Sequence, residues 1–103
     1  MRLYIDTRDN KKTIVGLDDI RLEKLTGPDK SQQVLNLIDQ ILKKNKQSFP
    51  SNKKTLKDIT EIKVETGPGS FTGLRVGVSV ANALGWALGI PVNGKKEIIL
   101  PQY

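Results

Sequence analysis

The residues best placed to do chemistry fall in Gly67-Pro68-Gly69-Ser70-Phe71-Thr72-Gly73, a glycine-rich turn between a strand-like segment and an apolar, helix-like run. At such a junction, unpaired backbone N–H groups and the helix dipole can hold an anion; Gly69, Ser70, Phe71 and Thr72 would contact it, whether a simple anion or a nucleotide phosphate. The spacing differs from that of the known phosphate loops. No Lys-Ser/Thr pair closes a Walker loop, and the third glycine falls one place late for the dinucleotide fingerprint. A tight turn in which glycines relieve steric conflict, with Ser70 or Thr72 capping the helix, is the more economical reading.

Enzyme chemistry finds few other candidates. Asp6, Asp9, Asp18 and Asp19 are available carboxylates, but adjacent acids in turns more often form the turn or stay solvated than catalyse. Ser70 or Thr72 as a nucleophile would need a base, and with no histidine only a lysine or a carboxylate could serve. Absence of cysteine removes disulfides and thiolate chemistry, and absence of histidine removes the commonest zinc ligand. The expectation is no catalytic residue and no metal ligand.

The elements that would position the turn follow from periodicity. Arg2 to Thr7 and Lys12 to Leu17 alternate apolar and polar residues around the turn-forming Arg8-Asp9-Asn10, and Ile20, Leu22 and Leu25 continue as a third strand after Asp18-Asp19. From Asp29, Val34, Leu35, Ile38, Ile41 and Leu42 recur at helical spacing, with Asp29 and Gln32 forming a capping-box pattern. Lys43 to Lys57 reads as an exposed basic loop with a short turn at its end, and Ile59 to Thr66 as a further strand. The apolar run from Leu74 to Leu88 stops at Gly89, and Ile90 to Val92 supplies a last short strand. The order βββαβα, with a mixed sheet of about five strands and two main helices, is that of one α/β ribonuclease-H-like lobe.

The second helix is the unusual element. Arg75, Ser79, Asn82 and Trp86 make one narrow stripe, while Gly73, Gly77, Ala81, Gly85 and Gly89 recur at every fourth position, where a neighbouring backbone can approach closely. A glycine inside a helix costs about 1 kcal/mol relative to alanine, so several of them require a compensating contact. A chain of 103 residues, 37% hydrophobic, offers little to cover a helix apolar over most of its circumference. Gly73, Arg75, Gly77, Ser79, Ala81, Asn82, Gly85 and Trp86 are therefore expected at an interface with another chain. A membrane span is disfavoured by Arg75 and Asn82. The net charge of +6 favours polyanions only weakly, and the N-terminus lacks the apolar core of a signal peptide, which makes the cytoplasm the expected compartment.

The run from Gly67 to Gly85 closely resembles the signature of the TsaB family, a subunit of the bacterial machinery that makes threonylcarbamoyladenosine in tRNA, and Leu3-Tyr4-Ile5-Asp6-Thr7 is similar to that family's first strand. The resemblance implies a lobe of the actin-like ATPase and sugar-kinase superfamily at residues 1–94, with 95–103 a tail where the connection to a second lobe would begin. It further implies a non-catalytic scaffold that pairs with TsaD, the metal-containing subunit that transfers the threonylcarbamoyl group, through helices of this lobe. A TsaE-like ATPase is a further implied partner. No cofactor is expected on the lobe alone; a nucleotide would sit at the partner interface, and tRNA would be met indirectly or through weak basic contacts. The alternatives are a protease- or ATPase-like enzyme of the same superfamily and a self-associating module that forms a homodimer when alone.

Overall fold

Alternation sorts the strands into two faces. In a computed structural model that describes residues 1–9, 11–25, 30–46 and 56–95, β1 (Arg2–Asp6) turns Leu3 and Ile5 inward, and β2 (Lys12–Leu17) does the same with Thr13, Val15 and Leu17. β3 (Ile20–Leu25) pairs antiparallel with β2, which pairs antiparallel with β1. β4 (Glu61–Val64) runs parallel to β1, with Leu3 opposite Ile62 and Ile5 opposite Val64, so the mixed sheet has the order β3-β2-β1-β4. Two helices, α1 (Lys30–Lys46) and α2 (Phe71–Leu88), pack together against the inward face. Val34, Leu37, Ile38 and Ile41 of α1 meet Val78 and Ala81 of α2 in one core with the strands. The fold class and element order are those read from the pattern.

Three details differ. Among the described residues the sheet has four strands, not about five: Val92 makes isolated bridges, parallel to Ile62 and antiparallel to Lys95. Pro91 has no N–H to donate, Asn93 turns away at φ 52°, and its side chain continues the pairing, accepting from Val64 N at 2.8 Å and donating to Val64 O at 3.0 Å. α1 continues to Lys46, through the start of the expected loop; lysines suit a helix C-terminus, and Lys43 pairs with Asp39 one turn earlier at 2.9 Å. β4 covers only Glu61–Val64, opposite Arg2–Ile5 of β1. The expected turn at Asn10, capping box at Asp29, most of the basic loop (47–55) and the tail from 96 lie outside the described residues.

What brings α2 onto the sheet is a missing side chain. Thr7, fully buried just past β1, donates its hydroxyl to Gly73 O at 2.6 Å, and a Cβ on Gly77 would run into Thr7 Oγ1, with Thr7 Cβ and Cγ2 at 3.2 Å. That hydroxyl is held by its own bond and cannot swing aside. Gly77→Ala should therefore destabilise the lobe by about 1–2 kcal/mol, because overpacking outweighs the helix-propensity gain of alanine. Thermal unfolding checks it, and an unchanged or raised Tm would contradict the packing.

Candidate functional site

The glycine-rich turn is bound to the end of β1. Ser70 N donates to Arg8 O at 2.8 Å, and a Cβ on Gly69 would lie 2.8 Å from Arg8 Cβ and 2.9 Å from Arg8 O. Ser70 is the N-cap of α2, its hydroxyl accepting from Gly73 N at 3.3 Å, while Thr72 is exposed on the first helical turn. The Ser70 hydroxyl and N–H are thus engaged inside the lobe, and the structure supports the capping reading of the turn. Phe71 begins the helix. At the far end Gly89 adopts φ 67°, and the Ile90 N–H closes on Gly85 O at 3.0 Å, the stop expected from the sequence.

The stripes of α2 separate cleanly. Gly73, Gly77 and Gly85 are buried and Ala81 is fully buried; Thr7 fills the space at Gly77, and Val92 with the Ile90 carbonyl fills that at Gly85. The expectation that these four meet another chain is corrected, since the close approach they permit is made by β1 and the segment after α2. Val76, Val80 and Leu84 are half-buried against the core, so the lobe covers more of the helix than its length suggested. The other stripe faces outward: Arg75 and Ser79 are exposed, Asn82 is half-buried, and Trp86 is 89% exposed beside exposed Ala83 and Ala87.

A polar cluster that sequence reasoning missed sits beside the turn. Arg8 donates from Nε to Asp6 Oδ1 at 3.1 Å and from Nη2 to Asp6 Oδ2 at 3.0 Å, and its Nη1 lies 3.7 Å from Glu65 Oε2. Tyr4 Oη bonds both Asp6 Oδ2, at 3.3 Å, and Glu65 Oε1, at 3.1 Å, while Arg21 stacks 4.5 Å above the Tyr4 ring. Burial, together with the two carboxylates, pushes the Tyr4 phenol up to about 12, which keeps it a donor. Burial also pushes the Asp6 carboxyl up, but hydrogen bonds from the Arg8 side chain and backbone, the Arg8 charge and the Tyr4 hydroxyl prevail and hold it below the usual carboxylate range. An acid and an arginine two residues apart at a strand end was the available signal. Asp9 forms a turn, accepting from Lys11 N at 2.8 Å, whereas Asp18, in the turn after β2, accepts across to β1 from Arg2 N at 3.0 Å. Among the described residues no helix is long and apolar enough to cross a membrane.

The model of the family described as TsaD, tRNA N6-adenosine threonylcarbamoyltransferase, matches residues 24–98, most of the chain. The chain belongs to the TsaD family. Within it, a 41-residue stretch is 49% identical to the tRNA threonylcarbamoyladenosine biosynthesis protein TsaB of Bacillus subtilis (strain 168), covering 40% of this chain and 18% of that protein. A 44-residue stretch is 50% identical to the tRNA N6-adenosine threonylcarbamoyltransferase of Tropheryma whipplei (strain Twist), covering 43% and 11%. The TsaB resemblance read from the sequence is thus found, in a family whose model carries the TsaD name. YeaZ from Pseudomonas aeruginosa superimposes with a TM-score of 0.69 at 23% identity, over 88% of this chain and 41% of that one. This shared fold is the actin and sugar-kinase type. The chain spans less than half the length of each of these relatives.

The clamp on Asp6 has a pH signature. Because its folded pKa is depressed, the carboxylate's stabilising contribution is complete above its unfolded value near ~4 and is lost as pH falls through the lower folded value. Acid unfolding of this TsaD-family lobe should steepen below about pH 4, and Arg8→Gln should flatten that limb. Equal acid limbs in the two proteins, followed by circular dichroism, would show that the pair does not contribute.

Proposed function

We propose that this lobe serves threonylcarbamoyladenosine modification of tRNA as a non-catalytic subunit, pairing with a TsaD-like partner through the outward stripe of α2. The observation that carries the reading is Trp86. A side chain of that size at 89% exposure, on a helix whose other faces meet its own lobe, is the kind of anchor that dominates binding when a partner covers it. Arg75, Ser79 and Asn82 lie along the same stripe and would supply its polar rim, while the alanines at 83 and 87 allow a partner helix close to the Trp86 ring. The relatives named for this modification support the pathway.

A scaffold role fits the chemistry better than turnover by the lobe itself. Ser70 is occupied as a helix cap, Asp6 by Arg8, Asp9 by Lys11 N and Asp18 by Arg2 N, so these residues offer the protease-like alternative no prepared nucleophile and base. In this reading tRNA is met through the partner, and any nucleotide belongs to the joint surface of the complex.

Co-purification with a TsaD-like protein, followed by titration calorimetry, tests the pairing. Trp86→Ala should weaken it by about tenfold or more while leaving Tm unchanged, because the ring makes little contact within the lobe. Unchanged affinity would remove the outward stripe from the interface. A homodimer that persists in the partner's presence would favour self-association through the same stripe.

A further inference from the structure

Beyond α2 the chain passes Ile90 and Pro91 and turns on Asn93 and Gly94, with φ values of 52° and 77°. Val92 N donates to Lys95 O at 2.8 Å and Lys95 N to Val92 O at 3.0 Å, which closes a two-residue hairpin on the dipeptide that such turns favour. Asn followed by Gly is also especially prone to spontaneous deamidation, because no Cβ on the glycine crowds its nitrogen. The Gly94 nitrogen bonds to Asn93 Cγ and gives up its proton, while Nδ2 takes up a proton and leaves as ammonia. Water then opens the cyclic imide at either carbonyl, giving aspartate or an isoaspartyl link that routes the main chain through the former side chain.

In the folded lobe that carboxamide is committed elsewhere. Asn93 Oδ1 accepts from Val64 N at 2.8 Å and Nδ2 donates to Val64 O at 3.0 Å. Asn93 N donates to Ile62 O at 2.8 Å, and Ile62 N donates to Pro91 O at 3.0 Å. These bonds fasten the hairpin to the outer side of β4, with Val92 buried over Gly85. Before Cγ can meet the Gly94 nitrogen, the carboxamide must release Val64, which requires the hairpin to lift. Conversion in turn destroys the fastening. An aspartate has no N–H for Val64 O and sets a negative charge against that carbonyl, and an isoaspartyl link adds a main-chain carbon to a turn that has no room for one.

We infer that Asn93–Gly94 is a deamidation site that docking on β4 holds closed, and that its conversion unfastens the hairpin and bares the outer edge of β4. Reaction and fastening exclude each other, so an opening of this margin is written into the chain as a permanent chemical change. The inference is independent of which partner covers α2.

The test follows deamidation of the unsubstituted chain by mass spectrometry of the tryptic peptide 76–95, in buffer and in guanidinium chloride at the same mildly alkaline pH. Position 93 should convert at least about tenfold more slowly in the folded chain, the factor that a local opening of modest free energy imposes. In the denaturant Gly94→Ala should slow conversion, because its methyl group crowds the attacking nitrogen. Asn93→Asp, checked as folded by circular dichroism, should speed amide hydrogen exchange at Ile62 and Val64 by about tenfold or more while the amides between β1 and β2 stay protected. Equal rates in buffer and denaturant, or no conversion at position 93 in either, would overturn the inference, as would unchanged exchange in Asn93→Asp. The comparison of rates needs no substituted chain, so it decides even where Asn93→Asp does not fold.

Discussion

The close approach of α2 to the end of β1 governs the rest of the lobe. A helix axis usually stands about 10 Å from a neighbouring layer, set by the side chains between them. Here Gly77 removes that spacer over Thr7, and the Thr7 hydroxyl reaches the Gly73 carbonyl directly. Everything near the turn follows from this distance. Ser70 can cap the helix while its N–H binds Arg8, Gly69 must lack a Cβ because the Arg8 backbone is already there, and Arg8 is thereby oriented onto Asp6. The glycine-rich turn is the hinge of a packing arrangement before it is anything else.

Much of this was legible in the amino-acid order. Alternation in β1 and β2, the helical recurrence from Val34 to Leu42, and the stop at Gly89 each reflect a local rule that tertiary contacts reinforced. The glycine stripe was also readable as a line of close approach. What the pattern could not supply was the identity of the approaching backbone: spacing on one helix is silent about whether Thr7 or a foreign chain fills it, and the burial of Gly77 and Ala81 against the lobe itself answers that. The cluster of Tyr4, Asp6, Arg8 and Glu65 was hidden for a different reason. Glu65 is distant in sequence and meets the others only because β4 lies parallel to β1, and a register of that kind is set by the whole sheet.

The two faces of the sheet have divided their tasks. Toward the helices it presents Leu3, Ile5, Val15, Leu17, Ile62 and Val64, all essentially inaccessible. On the other side Arg2 pairs with Glu61 at 2.7 Å, Lys12 with Glu23 at 3.5 Å and Arg8 with Asp6 at 3.0 Å. The exposed Arg2–Glu61 and Lys12–Glu23 pairs contribute little stability, roughly 0–1 kcal/mol each, whereas the Asp6 side chain is only 11% exposed; all three pairs answer charge within the face. Among the described residues the exposed large apolar side chains are Trp86 and Leu35 on the helices and Leu25 at the end of β3.

Asn93 gives the sheet a dead end. Its amide imitates the donor and acceptor of one more strand residue against Val64, while Pro91 O and Asn93 N occupy Ile62, so the outer side of β4 has no vacant ladder through which to recruit a foreign strand. At the opposite margin, β3 displays Arg21, Glu23 and Lys24, charges that discourage stacking edge to edge. With β4 occupied and β3 guarded by charge, strand addition is disfavoured at both margins, which shifts association toward side chains on helices, where contacts can be made and broken without unravelling the fold.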